Sequence, residues 1–351
     1  MFRLVGKGTS KRRRGGVIAA GAAVAAGLAL LPAAANAQKP VGGPDGSGAL
    51  KGAKILLSND DSVQAAAADG ADGRGLYFLR RSLCAAGADV VVVGPWQQQS
   101  GRARSISQAP QVALAAPTKI PAGFEGDCST APSKGVVLGA CAATACTPTT
   151  ASVTPADAVE LALSAYLPQQ PGWADGPDLV LTGTNSGANI DIAVNMSGTV
   201  GAATTAAEHG VPAIAVSANG SGLTSAPTDL TYRTAADFAA KTAARLLGRK
   251  GAADRLGEDK LLLNINVPDV TAGKTPTPRW TVMGDTPLGS LTYTADGKGG
   301  YRIGYTLADA NTRLDPRSDT AALRDGRISI GAISVDRTAD GKWLGSLNLA
   351  R

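Results

Sequence analysis

Four consecutive valines between Asp89 and Gly94 constrain the fold more than any other stretch of the chain. A strand with one wet face alternates apolar and polar side chains, whereas an uninterrupted apolar run needs cover on both faces. Four other short runs share this character: Lys54 to Ser58, Asp178 to Thr182, Ala213 to Ser217, and Leu261 to Val267, the last ended by Pro268. Segments of helical periodicity separate them: Gly75 to Ala86, Pro155 to Leu167, Val200 to His209, and Thr234 to Leu247. Pro155 stands in a first turn, where its missing N–H costs nothing. The third of these helices is entered through Ser197-Gly198-Thr199.

This alternation predicts an α/β fold, a Rossmann-like parallel sheet with helices on both faces and right-handed crossovers. The core is expected over 53–268, with residues 117–150, which lack periodicity, as an insertion. Residues 269–351 carry weaker strand signals at Trp280 to Met283, Tyr301 to Tyr305 and Arg327 to Ile330. They read as a β-rich C-terminal extension with too little apolar periodicity for a core of its own. The 351 residues are 44% hydrophobic and 4% aromatic, so helices should pack closely through small side chains.

Residues 1–37 read as a signal peptide. Arg3, Lys7, Lys11, Arg12, Arg13 and Arg14 precede an uncharged stretch from Val17 to Leu31, too short for an ordinary membrane span. Ala35-Asn36-Ala37 then predicts cleavage before Gln38, and export to the periplasm or beyond. Either a general or a twin-arginine route suits these residues. Residues 38–52, rich in Gly, Pro and Ser, read as a linker. Removing the signal leaves 28 basic against 28 acidic residues, so the pI of 9.2 belongs to the leader. No net positive field remains to recruit a polyanion non-specifically, so no specific nucleic-acid binding is expected, nor any membrane segment once the leader is gone.

Export permits disulfides among Cys84, Cys128, Cys141 and Cys146. Cys84 lies at helical spacing from Leu76, Leu79 and Leu83 and reads as a buried free thiol. The other three leave room for one local bridge, and the partner of Cys128 stays open. No Cys-x-x-Cys pair or His cluster suggests zinc.

In an open parallel sheet, ligands gather beyond the carboxyl ends of the strands. Asn59-Asp60-Asp61 follows the first strand, Gln99-Ser100-Gly101 the second, and Asn185 the third. Ser197-Gly198-Thr199 opens a helix. Adjacent carboxylates repel unless a cation lies between them. Oxygens of Asp, Ser and Asn suit Mg²⁺, Mn²⁺ or Ca²⁺, and a Ser-Gly-Thr helix start offers N–H groups to an anion. Metal beside an anion site points to phosphoryl chemistry. Each motif alone is commonly a cap or a solvated turn; their placement at successive strand ends gives them weight.

The chain resembles the SurE family of divalent-metal-dependent 5′/3′-nucleotidases. The stretches that carry the likeness are Ile55 to Asp61, Val91 to Ser100, Thr154 to Asp157, Pro177 to Asn189, Ser197 to Ala203, Gly210 to Ser217, Leu263 to Pro268 and Ser318 to Ser329. The resemblance implies that Asp60, Asp61, Ser100 and Asn185 hold one divalent cation per subunit, Mg²⁺ or Mn²⁺. It makes Asp60 and Asp61 catalytic, with Asn59 orienting substrate or the acidic pair. It places Asn189, Ser197, Gly198 and Thr199 around the phosphate, with Ser105 beside them. It further implies a nucleotide or similar phosphate ester as substrate, and a homodimer or tetramer that exchanges C-terminal β-segments.

The chain departs from the family pattern around this site. Ser62 replaces a Gly, and extra residues precede Gly75. Asp191, Ala193 and Met196 replace Gly, Asp and Tyr, while Ala103 and Arg104 stand where Gly and often His occur. These alter the rim and leave the leaving group open. Arg102 and Arg104 read equally as phosphate contacts or solvated charges, and Trp96 as cleft wall or core. His209 before Gly210 reads as a helix terminus. A broad acid phosphatase, an exopolyphosphatase, or a non-catalytic exported phosphate-binding protein would use the same pocket.

Overall fold

A computed structural model of the protein describes residues 48–64, 73–221, 225–309 and 311–338. All belong to the compact unit Asn36–Arg351. The expected signal peptide and most of the 38–52 linker lie outside the described residues. Among the described residues, no helix is long and apolar enough to cross a membrane.

The fold is α/β. Its centre is β1 (Lys54–Ser58), flanked by β2 (Asp89–Pro95) and β5 (Leu179–Ser186), with Ile55 opposite Val90 on one side and Leu179 on the other. Outward from β2 come β4 (Val137–Cys141) and the short β3 (Ala113–Ala115). Outward from β5 come β6 (Ala213–Ala218) and β7 (Leu261–Val267). These pairings are parallel except for β3, which meets β4 antiparallel.

Each strand of the centre is apolar on both sides because both sides are covered. Ile55, Leu57, Val90 and Val92 enter one core with Leu76, Leu79 and Leu83 of α1 (Arg74–Ala85) and Ala235, Ala239 and Ala243 of α4 (Asp229–Gly248). Leu56, Val91, Val93 and Val180 face the other way. They meet Ala158 and Val159 of α2 (Pro155–Leu161) and Ala202, Ala203, Ala206 and Ala207 of α3 (Gly198–Glu208). Burial of a Val or Leu side chain contributes about 1.5–3 kcal/mol, so the paired cores dominate the stability of the sheet.

Helix starts follow the chain's hydroxyl residues. Thr154 and Asp157 close a reciprocal capping box on α2, and Thr228 and Ser197 cap α4 and α3. The 155–167 helix is interrupted: a π turn covers Ala162–Tyr166 and a 3₁₀ turn Leu167–Gln169. Pro168, which has no N–H to continue the ladder, stands in that last turn. The fourth helix begins at Asp229 rather than Thr234 because Thr228 caps it.

Residues 117–150 are not wholly an insertion, since β4 takes a place in the main sheet beside β2. Its Val-Leu-Gly-Ala-Cys run lacks a strand-like pattern because Gly139 makes room for Trp96; a Cβ there would lie 2.6 Å from the indole. Cys84 is not a free thiol. The segment before β4 folds back over α1 and brings the Cα of Cys128 within 5.1 Å of that of Cys84, forming a disulfide. Cys141 and Cys146 form the local bridge.

The C-terminal region is only partly an extension. After α5 (Ala252–Glu258) and β7, the chain forms β8 (Pro278–Trp280), β9 (Gly289–Ala295), β10 (Tyr301–Leu307), α6 (Asp319–Arg324) and β11 (Ile328–Ser334). β11 pairs antiparallel with β7, and β8 adds parallel to β11, which gives a nine-stranded sheet. Among the described residues, β9 and β10 stand apart as a two-stranded antiparallel ribbon.

Candidate metal and phosphate site

The turn after β1 is withdrawn from solvent. Asn59, Asp60, Asp61 and Ser62 are all at most 4% exposed. Asn59 donates through Nδ2 to Ser62 O at 2.8 Å, closing the turn, and Gln99 N–H donates to Asp60 O at 2.7 Å, tying it to the loop after β2. Asp60 Oδ1 accepts from Thr199 Oγ1 at 2.5 Å. Gly198 lies so close that a Cβ there would fall 2.8 Å from Asp60 Oδ2. Asp61 Oδ2 accepts from Ser186 N–H at 2.9 Å, next to Asn185 at the end of β5.

Burial pushes the Asp60 carboxyl above its ordinary value, and the Thr199 hydroxyl with the N–H groups of Thr199 and Gly198 pulls it part of the way back. The start of α3 thus addresses the carboxylate directly, with its positive dipole end toward the charge. Among the described residues no ion pair reaches Asp60. Asn59 Oδ1 and Ser58 Oγ are buried without a hydrogen-bond partner among the described residues. Two adjacent buried carboxylates and an orphaned amide oxygen form a donor set that fits a hard divalent cation. No three His, Cys, Asp or Glu side chains cluster among the described residues, so neutral oxygens would have to complete the ligand shell.

Asn185 sits where the pairing of β5 and β6 shifts register after Thr182, an irregularity that re-aims the strand end. Its Nδ2 donates to Gly187 O at 2.9 Å, leaving the amide oxygen as the atom to offer a cation. Ser100 is exposed and follows Gln99, whose N–H holds the turn. Gly201 lets this loop lie against α3, since a Cβ there would overlap Ala103 O at 2.1 Å.

The residues expected around the phosphate divide. Gly198 and Thr199 are on Asp60, while Ser197 Oγ caps α3 by accepting from Val200 N–H at 3.0 Å. Asn189 is drawn into a buried amide cluster. Its Nδ2 donates to Ser217 Oγ at 2.9 Å, and its carbonyl accepts from Nδ2 of Asn264 and of Asn266 at 2.8 and 2.9 Å. Ser105 is exposed, and its carbonyl accepts from Thr154 Oγ1 at 2.6 Å. Arg104 is paired with Glu208, Trp96 is buried, and His209 bonds Glu160 at 2.8 Å between α3 and α2.

Sequence reading passed over Asn264 and Asn266, although their spacing of two put both on one face of β7. It also passed over Asp319. That carboxylate accepts from the N–H groups of Asp191 at 3.0 Å and Gly284 at 2.9 Å, while Asp191 Oδ2 accepts from Leu288 N–H at 3.0 Å. Two buried acids thereby tie the rim after β5 to the base of the β9–β10 ribbon.

A family model described as Survival protein SurE matches residues 55–289. The 5′-nucleotidase SurE of Aeromonas hydrophila subsp. hydrophila is 30% identical over 288 residues, covering 82% of this chain and 94% of its own. That of Solidesulfovibrio magneticus is 31% identical over 311 residues, covering 84% and 96%. Among solved structures, the SurE protein from Aquifex aeolicus superposes with a TM-score of 0.57 at 22% identity, over 84% of this chain and 98% of that one. At that identity the superposition speaks for the fold.

Proposed function

The chain belongs to the SurE family, and from that premise we propose that it is a divalent-metal-dependent phosphomonoesterase acting on nucleoside monophosphates. The observation that carries the proposal is the buried Asp60-Asp61 pair, with Asp60 joined through Gly198 and Thr199 to the start of α3 and, among the described residues, to no ion-pair partner. The relatives named 5′-nucleotidase SurE support the substrate class.

In this reading Asp60, Asp61, Asn185 and Ser100 hold one Mg²⁺ or Mn²⁺. Such a cation supplies Lewis-acid polarisation of the phosphoryl group and acidifies water. The protein's part is positioning and charge, which phosphoryl transfer chiefly demands. Thr199 fixes Asp60 through its hydroxyl, and Ser186 N–H fixes Asp61. Asn59 closes the turn so that both carboxylates project from one short segment. The helix start, with Ser197, Gly198 and Thr199, supplies positive potential where phosphoryl oxygens gather. One of Asp60 and Asp61 takes the proton from the attacking water. Asn189 acts from behind, holding the strand ends through the Ser217 hydroxyl and the Asn264 and Asn266 amides.

Export is part of the proposal, supported by two disulfides, which persist in oxidising compartments. The test is a panel of nucleoside monophosphates, p-nitrophenyl phosphate and polyphosphate, with and without chelator. Nucleoside monophosphates should be turned over best, and chelation should stop release. Preferred hydrolysis of polyphosphate would favour the exopolyphosphatase reading, and nucleotide binding without release a binding protein.

A further inference from the structure

The two N–H groups of Trp96 are held by carbonyls that flank one disulfide. The backbone N–H donates to Ala140 O at 3.0 Å, and the indole Nε1 donates to Thr147 O at 2.7 Å. Ala140 precedes Cys141 and Thr147 follows Cys146, and the Cys141–Cys146 bridge closes the loop between them with its Cα atoms 5.7 Å apart. The bridge therefore sets the separation of the two acceptors, and with it the seat of a side chain only 3% exposed. Gln97 Nε2 adds a tie to the same loop, donating to Pro148 O at 2.7 Å. Gly139 admits the indole and Val63 together, since a Cβ there would lie 2.6 Å from either.

On its other side Trp96 holds the turn after β1. Its carbonyl accepts from Ser62 Oγ at 2.8 Å, and the neighbouring Pro95 O accepts from Val63 N–H at 3.1 Å. Ser62 O in turn accepts from Asn59 Nδ2 at 2.8 Å. That last bond decides which end of the Asn59 amide is left for a ligand. It is Oδ1, buried without a hydrogen-bond partner among the described residues. Hydrogen bonds from the indole, the Ser62 hydroxyl and the Asn59 amide thus lead from the disulfide loop to a donor atom of the cation turn.

We propose that the Cys141–Cys146 bridge, acting through Trp96 and Ser62, is a positioning device for the cation turn. Trp96 and Ser62 are then positioning residues, which keep Asn59 Oδ1 and the acidic pair in the arrangement that takes a divalent cation. The inference rests on the metal-dependent reading and deepens it. Residues behind the ligands govern metal affinity because a ligand they do not anchor must be ordered when the ion binds. The cation is held tightly only while the bridge is closed.

Calorimetric titration of the full chain with Mn²⁺ tests this in parent, Cys141→Ser/Cys146→Ser, Trp96→Phe and the combined triple variant. Cys84→Ser/Cys128→Ser, which opens the other disulfide, is the control. Trp96→Phe keeps a ring against Gly139 and loses the indole donor. The double variant and Trp96→Phe should each weaken Mn²⁺ binding about tenfold. Both break one relay, so the triple variant should stay near tenfold rather than reach the product of about a hundredfold. The control should bind Mn²⁺ as the parent does, although it loses stability. Parental affinity in either the double variant or Trp96→Phe, an equal loss in the control, or multiplied losses in the triple variant would overturn the proposal. If the double variant fails to fold by circular dichroism, Trp96→Phe and Ser62→Ala decide, each expected to bind about tenfold more weakly. A parent that binds no Mn²⁺ would overturn the metal reading itself, and the positioning role with it.

Discussion

Ser62 and Asp191 hold φ angles of 90° and 49°, in the left-handed region where glycine is most at ease. Each side chain has local work that offsets the strain. Ser62 Oγ donates to Trp96 O at 2.8 Å and accepts from Gln64 N–H at 3.0 Å, and Asp191 Oδ1 accepts from Ala193 N–H at 2.7 Å. Ser62→Gly relieves backbone strain of about 1–2 kcal/mol but loses two hydrogen bonds worth about 1 kcal/mol each, so urea denaturation should place it at or slightly below the parent. Ser62→Ala keeps the strain and loses the bonds, and should be less stable than Ser62→Gly. At the site, Thr199→Val should cost about 10–100-fold in kcat/KM by freeing Asp60, with the fold intact by circular dichroism. Asp60, Asp61 and Asn185 were legible because they end apolar strands. Asp319 was not, because its partner Asp191 is 128 residues away and the contact runs to backbone N–H groups.

The segment before β4 is fastened to α1. Besides Cys84–Cys128, the buried guanidinium of Arg80 donates to the carbonyls of Asp127 at 2.8 Å and Gly135 at 2.6 Å. Removing the bridge in Cys84→Ser/Cys128→Ser should cost about 2–4 kcal/mol by denaturant titration, since it closes a long loop. The second tie at this scale is the Asp191–Asp319 pair. Burial raises both carboxyls above 3.8, and Asp191 further raises Asp319. The folded state then binds more protons than the unfolded one. The pair's contribution is full below the ordinary carboxylate value and is lost as pH rises through the raised one. The difference in Tm between parent and Asp319→Asn should therefore shift in favour of the variant as pH rises across that window. A difference independent of pH would show that Asp319 does not titrate as described. Strand and helix periodicity foretold β1, β2, β5, β6 and β7. It missed β4, where Gly139 and small residues serve the packing of Trp96 rather than any repeat.

For the whole molecule, the valine run between Asp89 and Gly94 foretold the architecture because two-sided cover leaves its mark on every residue of a strand. The C-terminal region leaves a fainter mark, since its β9–β10 ribbon has little covering it: Tyr293, Tyr301 and Ile303 are each more than 60% exposed. An apolar ribbon of this kind is where the homodimer or tetramer implied by the family resemblance would place its contact. Ile303→Lys should lower the mass seen by sedimentation equilibrium, and an unchanged mass would place the interface elsewhere. The central claim is that the Asn59-Asp60-Asp61 turn is a metal centre for phosphate-ester hydrolysis. Its most direct test is phosphate release from a nucleoside monophosphate before chelation, after chelation, and after Mn²⁺ is restored, in parent and Asp60→Asn. The account predicts loss and recovery in the parent and a rate at least about 10³-fold lower in Asp60→Asn throughout. Release that survives chelation, or an Asp60→Asn protein as active as the parent, would contradict it.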